Sequence, residues 1–204
     1  MTTRDPAPEG HPPGTRPPLS ERPHRLWLIG MMGCGKTAVG NDLSPLIGWP
    51  HVDNDQLLLT REGLDLVQLA DDSADRLHQA EVHMVRALSE QEPPLIAGIP
   101  ASLADHPAEL EHLAATGILV YLRATAETLV ARTHVTHRPF LDKDPLGWTT
   151  ATLARRHPVF ERYADLVLDV DTPTPPQLAQ AVADFVKHAA SDPTRAPDTQ
   201  ETTS

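Results

Sequence analysis

Short apolar runs recur through the middle of this chain, separated by longer segments whose apolar residues fall three or four apart. The runs are Arg25–Ile29, Pro50–Val52, Pro94–Gly98, Ile118–Leu122 and Leu166–Val170. Each is short and bounded by Gly, Pro or polar residues, as strands buried on both faces are. Between them, Ala74–Gln91 carries Leu77, Val82, Met84, Val85 and Leu88 near helical spacing. Asp105–Thr116 reads as a helix with an Asp105 cap, Pro107 in its first turn, and Leu110, Leu113 and Ala114 on one side. Thr125 is placed to cap Ala126–Thr133, and Pro175 and Pro176 open a last helix bearing Leu178, Val182, Phe185 and Val186. Ala38–Leu43 begins a helix that Pro45 is expected to bend or shorten. Trp27 and Trp49 are expected in the core. There is no internal repeat. Strand–helix alternation predicts an α/β fold of three layers, a parallel sheet with helices on both faces. Ligands of such sheets sit at the carboxyl ends of the strands.

The ends of the chain read differently. Residues 1–24 are Pro-rich, with Leu19 as their single aliphatic side chain beyond small residues and Met1. Such a segment buries too little surface to offset its ordering entropy, so a disordered arm is expected. It has no apolar stretch of the kind a secretory signal needs. Residues 188–204 are small and polar and read as a second tail. The folded domain is then expected over 25–187. No apolar run approaches the ~20 residues that a membrane span requires. Asp and Glu outnumber Lys and Arg by 28 to 17, and the net charge is −11. That balance argues against nonspecific nucleic-acid binding, which needs a basic surface. Cys34 is the single cysteine, so no internal disulfide can form and a reducing cytoplasm fits. A monomer is expected.

Gly30-Met31-Met32-Gly33-Cys34-Gly35-Lys36-Thr37 matches the phosphate-binding P-loop pattern G-x-x-x-x-G-K-[ST] at every position. It lies between a strand-like run and a helix-like one, the context that gives the pattern meaning. Unpaired amides at a helix N-terminus, with the positive end of the helix dipole, suit a phosphate. Gly30, Gly33, Cys34, Gly35, Lys36, Thr37 and Ala38 form the expected nucleotide-binding set. Lys36 is placed to reach the β- and γ-phosphates, and the Thr37 hydroxyl to ligate Mg²⁺. Cys34 reads as a small residue in a tight loop near a helix N-terminus. Asp53 and Asp55 close the second strand candidate, and at i and i+2 on an extended segment they point the same way. One is suited to hold Mg²⁺ through water, the other to touch an acceptor hydroxyl. The competing assignment is a solvated turn with a helix cap. Arg138 lies in a polar stretch from His134 to Gly147, long enough for a lid over the site. Arg156 follows in Arg156-His157-Pro158-Val159-Phe160; arginine binds carboxylate and phosphate oxygens through a two-pronged fork. His134 and His137 lack partners that would complete a zinc set.

Taken together these pieces resemble the shikimate kinase family over nearly the whole domain and in the family's order. The matching segments are the P-loop at Gly30–Thr37, Asp53-Asn54-Asp55, a degraded Phe-Arg-x-x-Glu ending at Glu81, Arg138-Pro139-Phe140-Leu141, and Arg156-His157-Pro158-Val159-Phe160. The resemblance implies a three-layer α/β/α P-loop NTPase fold with a five-stranded parallel sheet and a lid segment. It implies a cytoplasmic ATP-dependent kinase of aromatic amino acid biosynthesis that phosphorylates the 3-hydroxyl of shikimate or a related carbocyclic or polyol acceptor. By the same resemblance Lys36, Asp55 and Arg138 are catalytic, and Asp55, His78 and Arg156 bind the acceptor. Thr37 and Asp53 serve the metal, and Arg132 lies against the adenine. Two departures stand out. His78 falls where the family has an arginine, and Ile99-Pro100-Ala101 replaces the family's Gly-Gly-Gly. Pro100 has no N–H to offer, and His78 has no guanidinium fork. Two rival readings are a nucleotide-binding protein without kinase activity and a GTPase switch; the latter lacks an Asn-Lys-x-Asp guanine motif.

Overall fold

A computed structural model describes residues 16–22, 24–53, 57, 74–133 and 144–191. Strand β1 (Arg25–Ile29) leads into helix α1 (Lys36–Ile47) and the short strand β2 (His51–Val52). Then come α2 (Ala74–Ser89), β3 (Leu95–Gly98), α3 (Pro107–Thr116), β4 (Ile118–Arg123) and α4 (Ala126–Thr133). Helix α5 (Pro145–Tyr163), β5 (Leu166–Asp169) and α6 (Pro175–Ser191) complete the chain. The sheet has five strands in the order β2-β3-β1-β4-β5, all parallel.

All residues of β3 and Leu26–Ile29 of β1 are buried, as is β4 from Ile118 to Leu122. Strands without an exposed face require cover on both sides, which explains why they read as unbroken apolar runs rather than alternating ones. Helices α1 and α6 pack on each other, while α3 and α5 meet each other and β4. Trp27 is fully buried and donates its indole N–H to the Leu113 carbonyl (3.1 Å). Trp49 is half-buried and stacks on His24. In the register, Leu28 of β1 faces Gly98 of β3 and Val120 of β4. The chain leaves the central strand β1 to build one half of the sheet, then crosses over to build the other. The loop after β1 therefore opens at the point where the strand order reverses, the usual ligand crevice of such sheets.

Three local expectations need correction, and a fourth, at Pro45, can be bounded. Asp105 does not cap α3: it ends a separate 3-10 turn, Ala101–Asp105, and the N-cap is His106, with no side-chain cap bond. Helix α1 runs through Pro45 but ends two residues later at Ile47, closing on Gly48; the proline removes the N–H that would have bonded the Asn41 carbonyl. Residues 16–22 are packed rather than free. They form a 3-10 turn, Leu19–Glu21, and Arg22 is buried. Its Nη1 donates to Asp165 Oδ2 (2.7 Å) and the Gly117 carbonyl (3.2 Å), and Arg16 donates to the carbonyls of Arg162 and Tyr163. Buried charge pairing, together with Leu19 packed against the core, orders this segment. At the other end α6 continues to Ser191, past the expected boundary at 187.

Candidate active site

The loop 30–35 is shaped by main-chain conformations that side chains resist. Gly30 has φ +142°, and a Cβ there would lie 2.6 Å from the Leu122 carbonyl oxygen and 2.9 Å from Cys34 Sγ. Gly35 is the N-cap of α1 in the left-handed region (φ 100°, ψ 20°), and no side chain caps the helix there. The first-turn amides, those of Lys36, Thr37 and Ala38 among them, have no acceptor within the helix. They converge with the helix dipole on one spot, an anion site built from backbone alone. Lys36 Nζ arches back over the loop, donating to the carbonyls of Gly30 (2.9 Å) and Met31 (3.2 Å). It lies 4.0 Å from Sγ of the buried Cys34.

Thr37 and Asp53 meet beside this spot. Thr37 Oγ1 donates to Asp53 Oδ2 at 2.7 Å. A hydroxyl and a carboxylate are hard oxygen donors, and they lie where a phosphate bound at the loop would supply others. No group of three or more His, Cys, Asp or Glu converges elsewhere among the described residues. Two protein oxygens completed by phosphate and water suit Mg²⁺, which keeps several waters and is bound by few protein ligands. Arg132, in the last turn of α4, donates to the Val170 carbonyl (2.9 Å), and its Cβ flanks Gly33. The structure thus brings Arg132 against the loop from the side of β5.

Across the loop stands Arg156 of α5, whose side chain is 12% exposed. Its Nη2 donates to Asp105 Oδ2 at 2.6 Å, and its Nη1 approaches Met31 Sδ of the loop at 3.9 Å. Arg155 Nη1 reaches the other oxygen of Asp105 at 3.7 Å. Asp105 is presented by the 3-10 turn that begins where Ile99-Pro100-Ala101 stands. Ile99 is fully buried and its N–H donates to the Leu28 carbonyl (2.9 Å), and Pro100 is the N-cap of the turn. Main-chain donors at these two residues are therefore committed or absent. Polar side chains occupy the turn instead: Asp105 on Arg156, and Ser102, whose hydroxyl donates to the Glu81 carboxylate of α2.

Arg156 is supported from below. Its neighbour His157 meets the Tyr121 hydroxyl through Nδ1 at 2.5 Å. Burial pushes the Tyr121 pKa far above its ordinary value and the His157 pKa below its own. The bond between the Tyr121 hydroxyl and the His157 ring pins α5 to β4 one residue from Arg156.

The structure assembles Gly30, Gly33, Cys34, Gly35, Lys36, Thr37, Ala38, Asp53, Arg132 and Arg156 around one mouth of the sheet. Asp55 and Arg138 lie outside the described residues, as do His134, His137 and the expected lid as far as residue 143; its last residues, 144–147, are instead the N-cap and first turn of α5, where Asp144 accepts from the Gly147 N–H at 2.9 Å. His78 is on α2, but its side chain is likewise outside the described residues. Sequence reading missed Asp105 and Ser102 as site residues. The signal was present for Asp105, an acid just before Pro107, but it was spent on a helix cap.

Residues 32–187 match the sequence pattern of the shikimate kinase family. A shikimate kinase of Halorhodospira halophila is 31% identical over 150 residues, covering 72% of this chain and 84% of that protein. Another, from Cupriavidus pinatubonensis, is 32% identical over 161 residues, covering 77% and 83%. In fold, the chain is similar to a shikimate kinase from Acinetobacter baumannii solved in complex with shikimate. The TM-score is 0.75 at 23% identity, over 83% of this chain and 96% of that one.

Proposed function

The chain belongs to the shikimate kinase family of ATP-dependent phosphotransferases acting on a hydroxyl group, and from that premise we propose how its own residues divide the work. The acceptor is shikimate or a closely related carbocyclic or polyol alcohol. ATP lies with its phosphates on the amides of α1, and Lys36 exchanges the carbonyls of Gly30 and Met31 for the β- and γ-phosphate oxygens. Thr37 and Asp53 would hold Mg²⁺, which would supply positive charge to neutralise those phosphates. Asp55 orients the attacking hydroxyl and takes its proton, and Arg138 closes over the transferring group. Arg156 anchors the acceptor opposite the loop, and Arg132 borders the adenine. The domain is a single kinase unit, acting as a cytoplasmic monomer.

The observation that carries this reading is the placement of Thr37, Asp53 and Arg156 around the one loop, on elements far apart in sequence. ADP release measured with ATP and Mg²⁺, with and without shikimate, tests it. Shikimate-dependent turnover is the expected result. Nucleotide binding without transfer to any carbocyclic acid or polyol would instead favour a binding protein.

A further inference from the structure

Arg156 already holds a carboxylate. Its Nη2 is taken by Asp105 at 2.6 Å, and its Nη1 reaches toward the loop residue Met31. Its Nε is buried without a partner. A carboxylate taking the Nη1/Nη2 edge from the loop side needs Nη2, the nitrogen that Asp105 occupies. The side chain of Asp105 is 36% exposed, and Arg155 lies within 3.7 Å. The acid side of the pair is open to solvent, so its carboxylate can leave the arginine for water. The turn that presents Asp105 is also where Ile99 and Pro100 stand, so the residue that fills the fork and the segment that withholds backbone donors are one local device.

We propose that Asp105 is an internal competitor for the acceptor's carboxylate at Arg156, and so sets how strongly this kinase discriminates between anionic and neutral acceptors. The inference rests on Arg156 facing the acceptor, as in the proposed function. An anionic acceptor must displace Asp105 from the fork and then sit beside its freed negative charge. A neutral acceptor of the same shape does neither. Asp105 is a specificity-determining residue on this account and takes no part in phosphoryl transfer.

The test compares shikimate with its uncharged methyl ester in wild-type protein and in Asp105→Asn and Asp105→Ala. Steady-state turnover is measured alongside calorimetric binding to protein loaded with Mg²⁺ and a non-hydrolysable ATP analogue. The prediction is that KM and Kd for shikimate fall about tenfold in both variants. Those for the methyl ester change less than twofold, and kcat is little altered. Unchanged or weaker shikimate binding in both variants would overturn the proposal and make Asp105 a residue that positions Arg156. In that case Asp105→Ala would be the worse of the two, since asparagine can still accept from the fork. The binding arm answers the question even if no acceptor is turned over, whereas absence of turnover alone counts against the proposed function. Thermal melts of both variants establish that they fold; Asp105 is exposed and lies outside the core.

Discussion

Thr37 Oγ1 and Asp53 Oδ2 lie 2.7 Å apart, joining the first turn of α1 to the end of β2. The bond ties the two oxygens that we assign to the metal before any nucleotide arrives. Preorganised ligands cost nothing to assemble at the moment of reaction. Asp53→Ala should lower kcat by about 10²–10³-fold, the scale seen when one preorganised electrostatic contact is removed. Metal-free nucleotide binding should persist within a few-fold, because the amides of α1 and Lys36 are untouched. Calorimetry with ADP in EDTA and in Mg²⁺ separates the two effects. A variant with full activity would remove Asp53 from the metal assignment.

Gly30 sits where β1 ends and the loop begins, with the Leu122 carbonyl in the space a side chain would take. Gly30→Ala puts a methyl group 2.6 Å from that oxygen at φ +142°. Either β4 or the loop has to shift. A loss of about 1–3 kcal/mol in urea unfolding is expected, as for overpacking elsewhere in cores. Nucleotide affinity should fall by at least as large a factor. Gly35→Ala makes the informative comparison. Nothing lies within 4 Å of its Cβ position, so its cost comes from backbone strain alone at φ 100°.

Arg22 and Asp165 form an ion pair whose side chains are 0% and 1% exposed. The Asp165 carboxylate also accepts from the Leu119 N–H at 2.9 Å. Burial still holds its pKa above the ordinary carboxylate value, the pull of Arg22 notwithstanding. Removing one partner leaves the other charge buried and uncompensated. Asp165→Ala should therefore destabilise the fold by about 3–5 kcal/mol in equilibrium unfolding. A chain beginning at Arg25 should be destabilised as well, since Asp165 then loses both Arg22 and Arg16. An unchanged midpoint for that truncation would restore the domain start at residue 25.

His157 is held below its ordinary pKa of 6.5 first by burial. A depressed folded value means that the unfolded chain takes up the proton first as the pH falls. The stabilisation tied to neutral His157 is thus complete above pH 6.5 and is lost as the pH drops from there through the lower folded pKa. His157→Gln should show a smaller loss of stability between pH 7.5 and pH 5.5 than the wild type, measured by urea midpoints at each pH. His51, also held down by burial, contributes equally to both proteins and cancels in the difference. Equal pH slopes would mean that His157 does not sense the protonation change.

The sheet was readable because its three central strands, β1, β3 and β4, are buried on both faces. A run such as Leu26-Trp27-Leu28-Ile29, short and apolar throughout, fits a strand covered on both faces, and observed strand ends differ from the expected ones by one residue or less. The loop was readable for a different reason. Its chemistry is carried by main-chain amides and glycines within eight consecutive residues, so spacing along the chain is spacing in space. Arg156 was identified by a local pattern, but its partner was not. Asp105 lies 51 residues away in sequence, and its local context is that of a helix cap. Nothing in one sequence distinguishes an acid that caps from an acid that pairs.

What the sequence determined by itself was the alternation of elements, the phosphate-gripping loop and the kinase family, because each rests on neighbours in the chain. Only the tertiary structure decided that Arg16 and Arg22 belong to the packed domain, and that the 3-10 turn after β3 delivers a carboxylate into the arginine fork. Both are encounters between charged side chains on separate elements. Their energy depends on distance and exposure after folding, quantities that composition and periodicity do not encode.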